Sequence, residues 1–162
     1  MLHVYCDGSI TGSHWGKKNE KNTPAFGWTG WVVQTPEGVV LHHSSEALGT
    51  DETMSANVSE YTAVKHALRW LIVNDHRLHA LKVFSDSQLV MFQLSGKYNC
   101  HVPRLLVLRD HVRKLAALFP QVTYNWIPRE QNRYADFLTK SLHNGGAVPQ
   151  VPVPAEILAR HR

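Results

Sequence analysis

The sequence predicts a mixed α/β fold, a five-stranded sheet flanked by helices, and three observations carry that prediction. Three β-prone segments precede the first helical periodicity. Two more short strand candidates follow, each set between helices, and turn-forming residues separate the elements. The order reads β-β-β-α-β-α-α-β-α.

In the first strand, Leu2 to Cys6 (LHVYC), apolar Leu2, Val4 and Cys6 alternate before Asp7-Gly8-Ser9. Residues 10–25 carry three lysines, Gly12, Gly16 and Pro24 and read as a loop. Strands follow over Gly27–Thr35 and Val39–Ser45, and Pro36-Glu37-Gly38 joins them as a hairpin, so the first three strands form an antiparallel meander. From Asn57 to Asn74, Val58, Tyr61, Val64, Leu68, Leu71 and Ile72 recur at steps of three and four, which marks an amphipathic helix. Asp51 to Ser55 supply acidic and hydroxyl residues for its N-terminus.

Ala80–Ser85 reads as a short buried strand, and a strand reached through a helix after a meander is expected parallel to the first. Helices are expected over Asp86–Leu94 and Val102–Phe119. The second carries Leu105, Leu108, Val112, Leu115 and Leu118 on one stripe and is stopped by Pro120. Gln121–Ile127 is the fifth strand and Gln131–Leu142 the last helix. After Gly145-Gly146 the stretch VPQVPVP has polyproline character, and the closing AEILARHR reads as a frayed tail. The domain is therefore expected over residues 1–144 and a Pro-rich tail over 145–162.

Bulk properties bound the function only loosely. The 162 residues suit one compact domain, and a composition 43% hydrophobic and 19% charged is ordinary for a globular chain. No apolar run approaches the roughly 18–20 residues of a membrane-spanning helix. The start MLHVYCDGS enters a strand at once without a leader pattern, so a cytoplasmic location, a chain complete from Met1 and a monomer are the expectations. Cys6 and Cys100 lie far apart and form no CxxC pair, so buried free thiols are expected rather than a disulfide or a zinc site. The spacings of the eleven histidines, His42-His43 included, do not suggest a metal site. A net charge of +4 is mildly basic and suits an anionic partner such as nucleic acid.

Four acids stand out by position. Asp7 closes the first strand segment, and Asp86 closes the fourth beside a helix start. Glu60 lies in the first turns of the helix between them, and Asp136 in the last helix. If strands one and four are parallel neighbours, Asp7 and Asp86 fall together at carboxyl ends of strands, where α/β sheets bind ligands. Crowded carboxylates raise one another's pKa unless cations neutralise them, and hard divalent ions such as Mg²⁺ do so with oxygen ligands. Singly, each acid also has an ordinary reading. Asp7-Gly8 suits a turn, Asp86-Ser87 a helix cap, Glu60 the positive end of a helix and Asp136 a solvated helix surface.

The words around these acids decide between the readings. Asp7-Gly8-Ser9 after a strand, Asn57 to Ala63 (NVSEYTA) opening a helix, and Ser85-Asp86-Ser87-Gln88 after a strand resemble three blocks of the type 1 ribonuclease H family. Pro128 to Asp136 (PREQNRYAD) resembles the fourth. The blocks occur in the family's order, on its elements, over residues 2 to 142. The resemblance implies the ribonuclease H-like fold with strand order 3-2-1-4-5. It also implies an endoribonuclease that cuts the RNA strand of RNA–DNA hybrids with two Mg²⁺ ions, or Mn²⁺ in their place, leaving 5′-phosphate and 3′-hydroxyl ends. By that resemblance Asp7 bridges both ions. Asp86 holds the one that activates water, while Glu60 and Asp136 hold the one beside the leaving O3′. Asn57 and Gln88 match positions that contact the minor groove and the 2′-hydroxyls, which distinguish RNA from DNA. Ser9, Asn132 and Arg129 fall at further substrate-contact positions.

The sequence also departs from many relatives. No histidine stands between Ile127 and Asn132, so the flexible His loop is missing, and Arg129 or Glu130 stands there either as a partial substitute or as a solvated turn. The basic protrusion is missing too, because residues 97–109 hold only Lys97, Arg104 and Arg109. The loop of residues 10–25, with His14-Trp15, is either a replacement grip on phosphates or a solvated insertion. Two rival functions remain. A DEDD-type exonuclease needs a Glu where Ser9 stands, and an integrase-like enzyme needs a late Glu near Val122. A non-catalytic nucleic-acid-binding module is the other alternative.

Overall fold

The computed structural model describes residues 1–12 and 25–142. Five strands, β1 (Leu2–Thr11), β2 (Phe26–Gln34), β3 (Val40–Thr50), β4 (Leu81–Ser85) and β5 (Val122–Trp126), form one sheet in the order β3-β2-β1-β4-β5. Helices α1 (Ala56–Val73), α2 (Gln88–Ser95), α3 (Pro103–Ala116) and α4 (Arg133–Ser141) flank it, with a 3₁₀ turn over Arg129–Gln131 before α4. The fold class, the element order and the parallel pairing of β1 with β4 agree with the sequence reading.

Leu2, Val4 and Cys6 of β1 join Trp31, Val33, Leu81 and Val83 on one face of the sheet, where α1 packs through Val64, Leu68 and Leu71. Burying each large apolar side chain contributes roughly 1.5–3 kcal/mol, so this face anchors the domain. On the other face α4 lies against β2, where Gly30 admits it. A Cβ on Gly30 would sit 2.5 Å from the Ala135 carbonyl oxygen.

Several boundaries differ from the sequence reading. β1 runs on to Thr11 because β2 keeps pairing with it after the parallel β4 partners end at Tyr5 and Phe84. Asp7 thus sits inside the strand, opposite Gly30. β3 likewise continues to Thr50, past the expected Ser45, with a register shift at Gly27/Trp28. The hairpin turn is as expected, with Gly38 at φ +93° and its N–H donating to the Thr35 carbonyl at 2.9 Å. α3 ends at Ala116, so Leu118 falls outside the apolar stripe and is exposed.

Cys6 and Cys100 are free and buried. His42 and His43 point to opposite faces, His42 stacking on Trp70 of α1 and His43 against Tyr134 of α4. Among the described residues no helix is long and apolar enough to cross a membrane. The lysine-bearing part of the 10–25 loop and the 145–162 tail lie outside the described residues.

Candidate active site

The site is built where β1, β4 and α1 converge. Ser55 caps α1, its hydroxyl accepting from the Val58 N–H at 3.2 Å, which places Glu60 in the second turn. Asn57 therefore does not cap the helix. α1 approaches β1 so closely that a Cβ on Gly8 would lie 2.3 Å from the Glu60 backbone nitrogen. The glycine of Asp7-Gly8 is thus a clearance inside a strand, not a turn. Ser59 fastens the contact by donating its hydroxyl to the Ser9 carbonyl at 3.1 Å.

Asp86 follows β4 directly, and the next residue, Ser87, caps α2 by accepting from the Val90 N–H. Carboxylate oxygens of Asp7, Glu60 and Asp86 all lie within 4.8 Å of one another. Asp7 and Glu60 are buried and Asp86 half-buried.

Electrostatics follow from that crowding. Burial, then the charges of Glu60 and Asp86, push the Asp7 carboxyl well above the usual range. Glu60 is pushed up to about 8, chiefly by burial and further by Asp86, against hydrogen bonds to Asp7, the Gly8 N–H and the Ser85 hydroxyl. Asp7 and Glu60 lie close together, so a charge on one makes the other harder to ionise. Three carboxylates with few donors around them make a hard oxygen donor set that fits a divalent cation such as Mg²⁺.

Asp136 stands apart from this trio. Its carboxylate takes Lys140 Nζ at 3.1 Å, one helical turn on, and Arg129 at 3.5 Å. Its charge still reaches Asp7 and helps raise that carboxyl. Arg129 is largely exposed.

Asn132 is 1% exposed. Its amide donates to the Cys6 carbonyl of β1 and to Asp86 Oδ1, each at 2.8 Å, so it ties β1, the end of β4 and the start of α4 together. Asn57 is half-exposed in the first turn of α1, Gln88 is exposed at the start of α2, and the Ser9 hydroxyl is covered. Sequence reasoning quoted Gly8 and Ser85 inside their blocks without assigning them a part, and it missed Gly30 and Lys140. Of the last two, only Lys140 carried a readable signal, its i,i+4 spacing from Asp136.

Residues 17–142 match the family described as reverse transcriptase-like. The fold superposes on the crystal structure of an RNase H1 from the halophilic archaeon Halobacterium salinarum, with a TM-score of 0.75 and 26% identity over 90% of this chain and 98% of that one. The chain belongs to this family, on its type 1 ribonuclease H branch. Among type 1 ribonucleases H, one solved in complex with RNA/DNA hybrid aligns with a TM-score of 0.73 and 26% identity, over 86% of this chain and 94% of that one. A bifunctional protein of Mycobacterium tuberculosis is 30% identical over 82% of this chain. The chain spans about a third of the length of that mycobacterial relative.

Proposed function

We propose that the protein is a metal-dependent endoribonuclease that hydrolyses the RNA strand of RNA–DNA hybrids and leaves 5′-phosphate and 3′-hydroxyl ends. The observation that carries this reading is the convergence of the Asp7, Glu60 and Asp86 carboxylates within 4.8 Å on the family's fold. A relative bound to an RNA/DNA hybrid supports the substrate.

Asp7, Glu60 and Asp86, with Asp136 beside them, would hold two Mg²⁺ ions, for which Mn²⁺ is a substitute. Such ions supply Lewis-acid polarisation of the phosphate and a more acidic attacking water. The remaining work belongs to the chain. Asp7, whose carboxyl lies close to both Glu60 and Asp86, would be a ligand shared within the set, and Asn132 fixes the rotamer of Asp86 by donating to its Oδ1. Lys140 and Arg129 hold Asp136 and keep its charge in place. Asn57 and Gln88, open on the two helix starts beside the acids, read the 2′-hydroxyls of the RNA strand.

Asn132 and Ser9 take positioning parts rather than substrate contacts, because the Asn132 amide donors are engaged and the Ser9 hydroxyl is covered. Arg129, paired with Asp136 on the exposed rim, also meets the substrate backbone. A domain of residues 1–144 with a separate tail, a monomer and a cytoplasmic location complete the reading. The buried free thiols suit a reducing compartment.

The test is cleavage of labelled RNA–DNA hybrid, double-stranded RNA and single-stranded RNA with Mg²⁺, Mn²⁺ or EDTA. Internal cuts confined to the hybrid are expected, lost in EDTA and reduced more than about 100-fold in Asp7→Asn, beyond the typical cost of an outer-shell partner. Hybrid binding without cleavage in either metal would favour the non-catalytic module, and trimming from ends an exonuclease.

A further inference from the structure

Asp136 differs from the other three acids in carrying a cation of its own. Among the described residues no Lys or Arg is paired with Asp7, Glu60 or Asp86. Lys140 Nζ, by contrast, lies 3.1 Å from Asp136 Oδ1 and 3.1 Å from Oδ2. The ammonium thus sits astride the carboxylate, in the position a bidentate metal ion takes. Arg129 adds a longer contact, 3.5 Å to Oδ1 alone, from a largely exposed side chain.

The helix beneath fixes this pair. α4 is seated on β2 through the clearance at Gly30, where a Cβ would meet the Ala135 carbonyl oxygen, the Thr139 nitrogen and Leu138. Leu138 and Thr139 are fully buried, and the Thr139 hydroxyl donates to the Asp136 carbonyl at 2.8 Å. Asp136 and Lys140, one turn apart, therefore leave the helix in the same direction, and the helix cannot roll to separate them. At 20% and 36% exposure the two side chains are also less solvated than an open surface pair.

The Asp136 charge reaches Asp7, so this acid is near enough to act on the trio. A divalent ion drawing on it meets the Lys140 ammonium first. Repulsion between a double and a single positive charge is twice that of two unit charges at the same separation, so the two do not share one carboxylate.

We infer that Lys140 is a positioning residue that sets the threshold for the second cation, by occupying Asp136 until that acid is needed as a ligand. The inference rests on the proposed two-ion reading of the site. The trio, with no internal cation to displace, fills at the lower metal concentration. Asp136 joins at a higher one, and the gap between the two measures the displacement of Lys140.

The experiment counts Mn²⁺ ions on the full chain, without nucleic acid, from the loss of the free-ion electron paramagnetic resonance signal. The parent is expected to show a tight class and a weak class. Lys140→Met should tighten the weak class roughly three- to tenfold and leave the tight class unchanged. Lys140→Arg keeps the charge and should stay close to the parent, and Arg129→Ala should shift the weak class less than Lys140→Met. The Mn²⁺ concentration for half-maximal hybrid cleavage should move down with the weak class. A second class seen only in Lys140→Met supports the inference equally. A weak class unmoved by Lys140→Met, or both classes tightening alike, overturns it and leaves the proposed activity standing. A parent that binds no Mn²⁺ removes the two-ion reading itself. Should Lys140→Met melt lower than the parent, Lys140→Gln, equally neutral and still able to bond Asp136, gives the same readout.

Discussion

Glu46 of β3 and Glu60 of α1 both lie where that helix meets the sheet, and the protein treats them in opposite ways. Glu46 is half-buried and accepts from Trp31 Nε1 at 2.7 Å, the Thr29 hydroxyl at 3.3 Å and His66 at 2.8 Å. Although burial acts to raise it, those donors together hold its carboxyl below the usual value. Glu60 is more deeply buried, meets two further acids, and is pushed up to about 8. One carboxylate is neutralised from within the protein and keeps a fixed charge. The other lacks enough internal donors, which is the deficit the proposed cation would fill. That difference, rather than burial itself, separates a structural acid from a functional one.

The sharpest way to break the contrast is to loosen the functional side without touching an acid. Asn132→Ala removes the donor that orients Asp86 and should lower Mg²⁺ affinity and hybrid cleavage by about 10–100-fold, in the range of lost outer-shell partners. Isothermal titration with Mg²⁺ beside a cleavage assay reads both. A variant with full cation affinity would show that Asp86 is held by its strand end alone.

A smaller effect concerns protons. Because Glu60 holds its proton up to about pH 8 in the cation-free protein, a binding cation must displace it. Mg²⁺ affinity should therefore fall by about tenfold per pH unit below that value for each proton released. The stability sign follows from the same shift. A carboxyl raised from 4.5 to about 8 on folding favours the folded state at low pH, and that contribution is lost as pH rises through about 8. Thermal melts in EDTA should show Tm falling across that window, and Asp7→Asn should flatten the fall. A pH-independent Tm would mean the acids are not crowded in solution.

The gentlest probe is on the structural side. Glu46→Ala leaves the Trp31 indole N–H without its acceptor and should cost about 1–3 kcal/mol in denaturant unfolding, with Mg²⁺ affinity unchanged. A loss of cation affinity would mean that the two carboxylates are not independent.

Much of this was legible in the sequence, and the gaps have physical causes. The period change between β3 and α1 and the stripe on α1 located those elements, because each buries one continuous face. The length of β1 escaped notice because apolar alternation stops where the parallel partner β4 ends, although pairing with β2 continues to Thr11. β3 ran past Ser45 because its later residues floor a partly open groove and so carry no hydrophobic signature. The four acids were visible by their surrounding words. Their sorting into a trio and a partner clamped by Lys140 and Arg129 was not, since it depends on side-chain directions at elements distant in sequence. The bonds of the Asn132 amide to the Cys6 carbonyl and to Asp86 were not legible, because nothing local shows that β1 lies beneath it.

The parallel pairing of β1 with β4 has a consequence for how the molecule comes into being. β1 can find β2 through a meander, but Leu2 meets Leu81 only after the whole of β2, β3 and α1 has been laid down between them. Long-range parallel pairing carries the loop-closure entropy of everything it spans and is slow to form. Asp7 and Asp86 are brought together by that one closure. The proposed cation site is therefore assembled late in folding, and a chain with its hairpin and first helix already formed still lacks it.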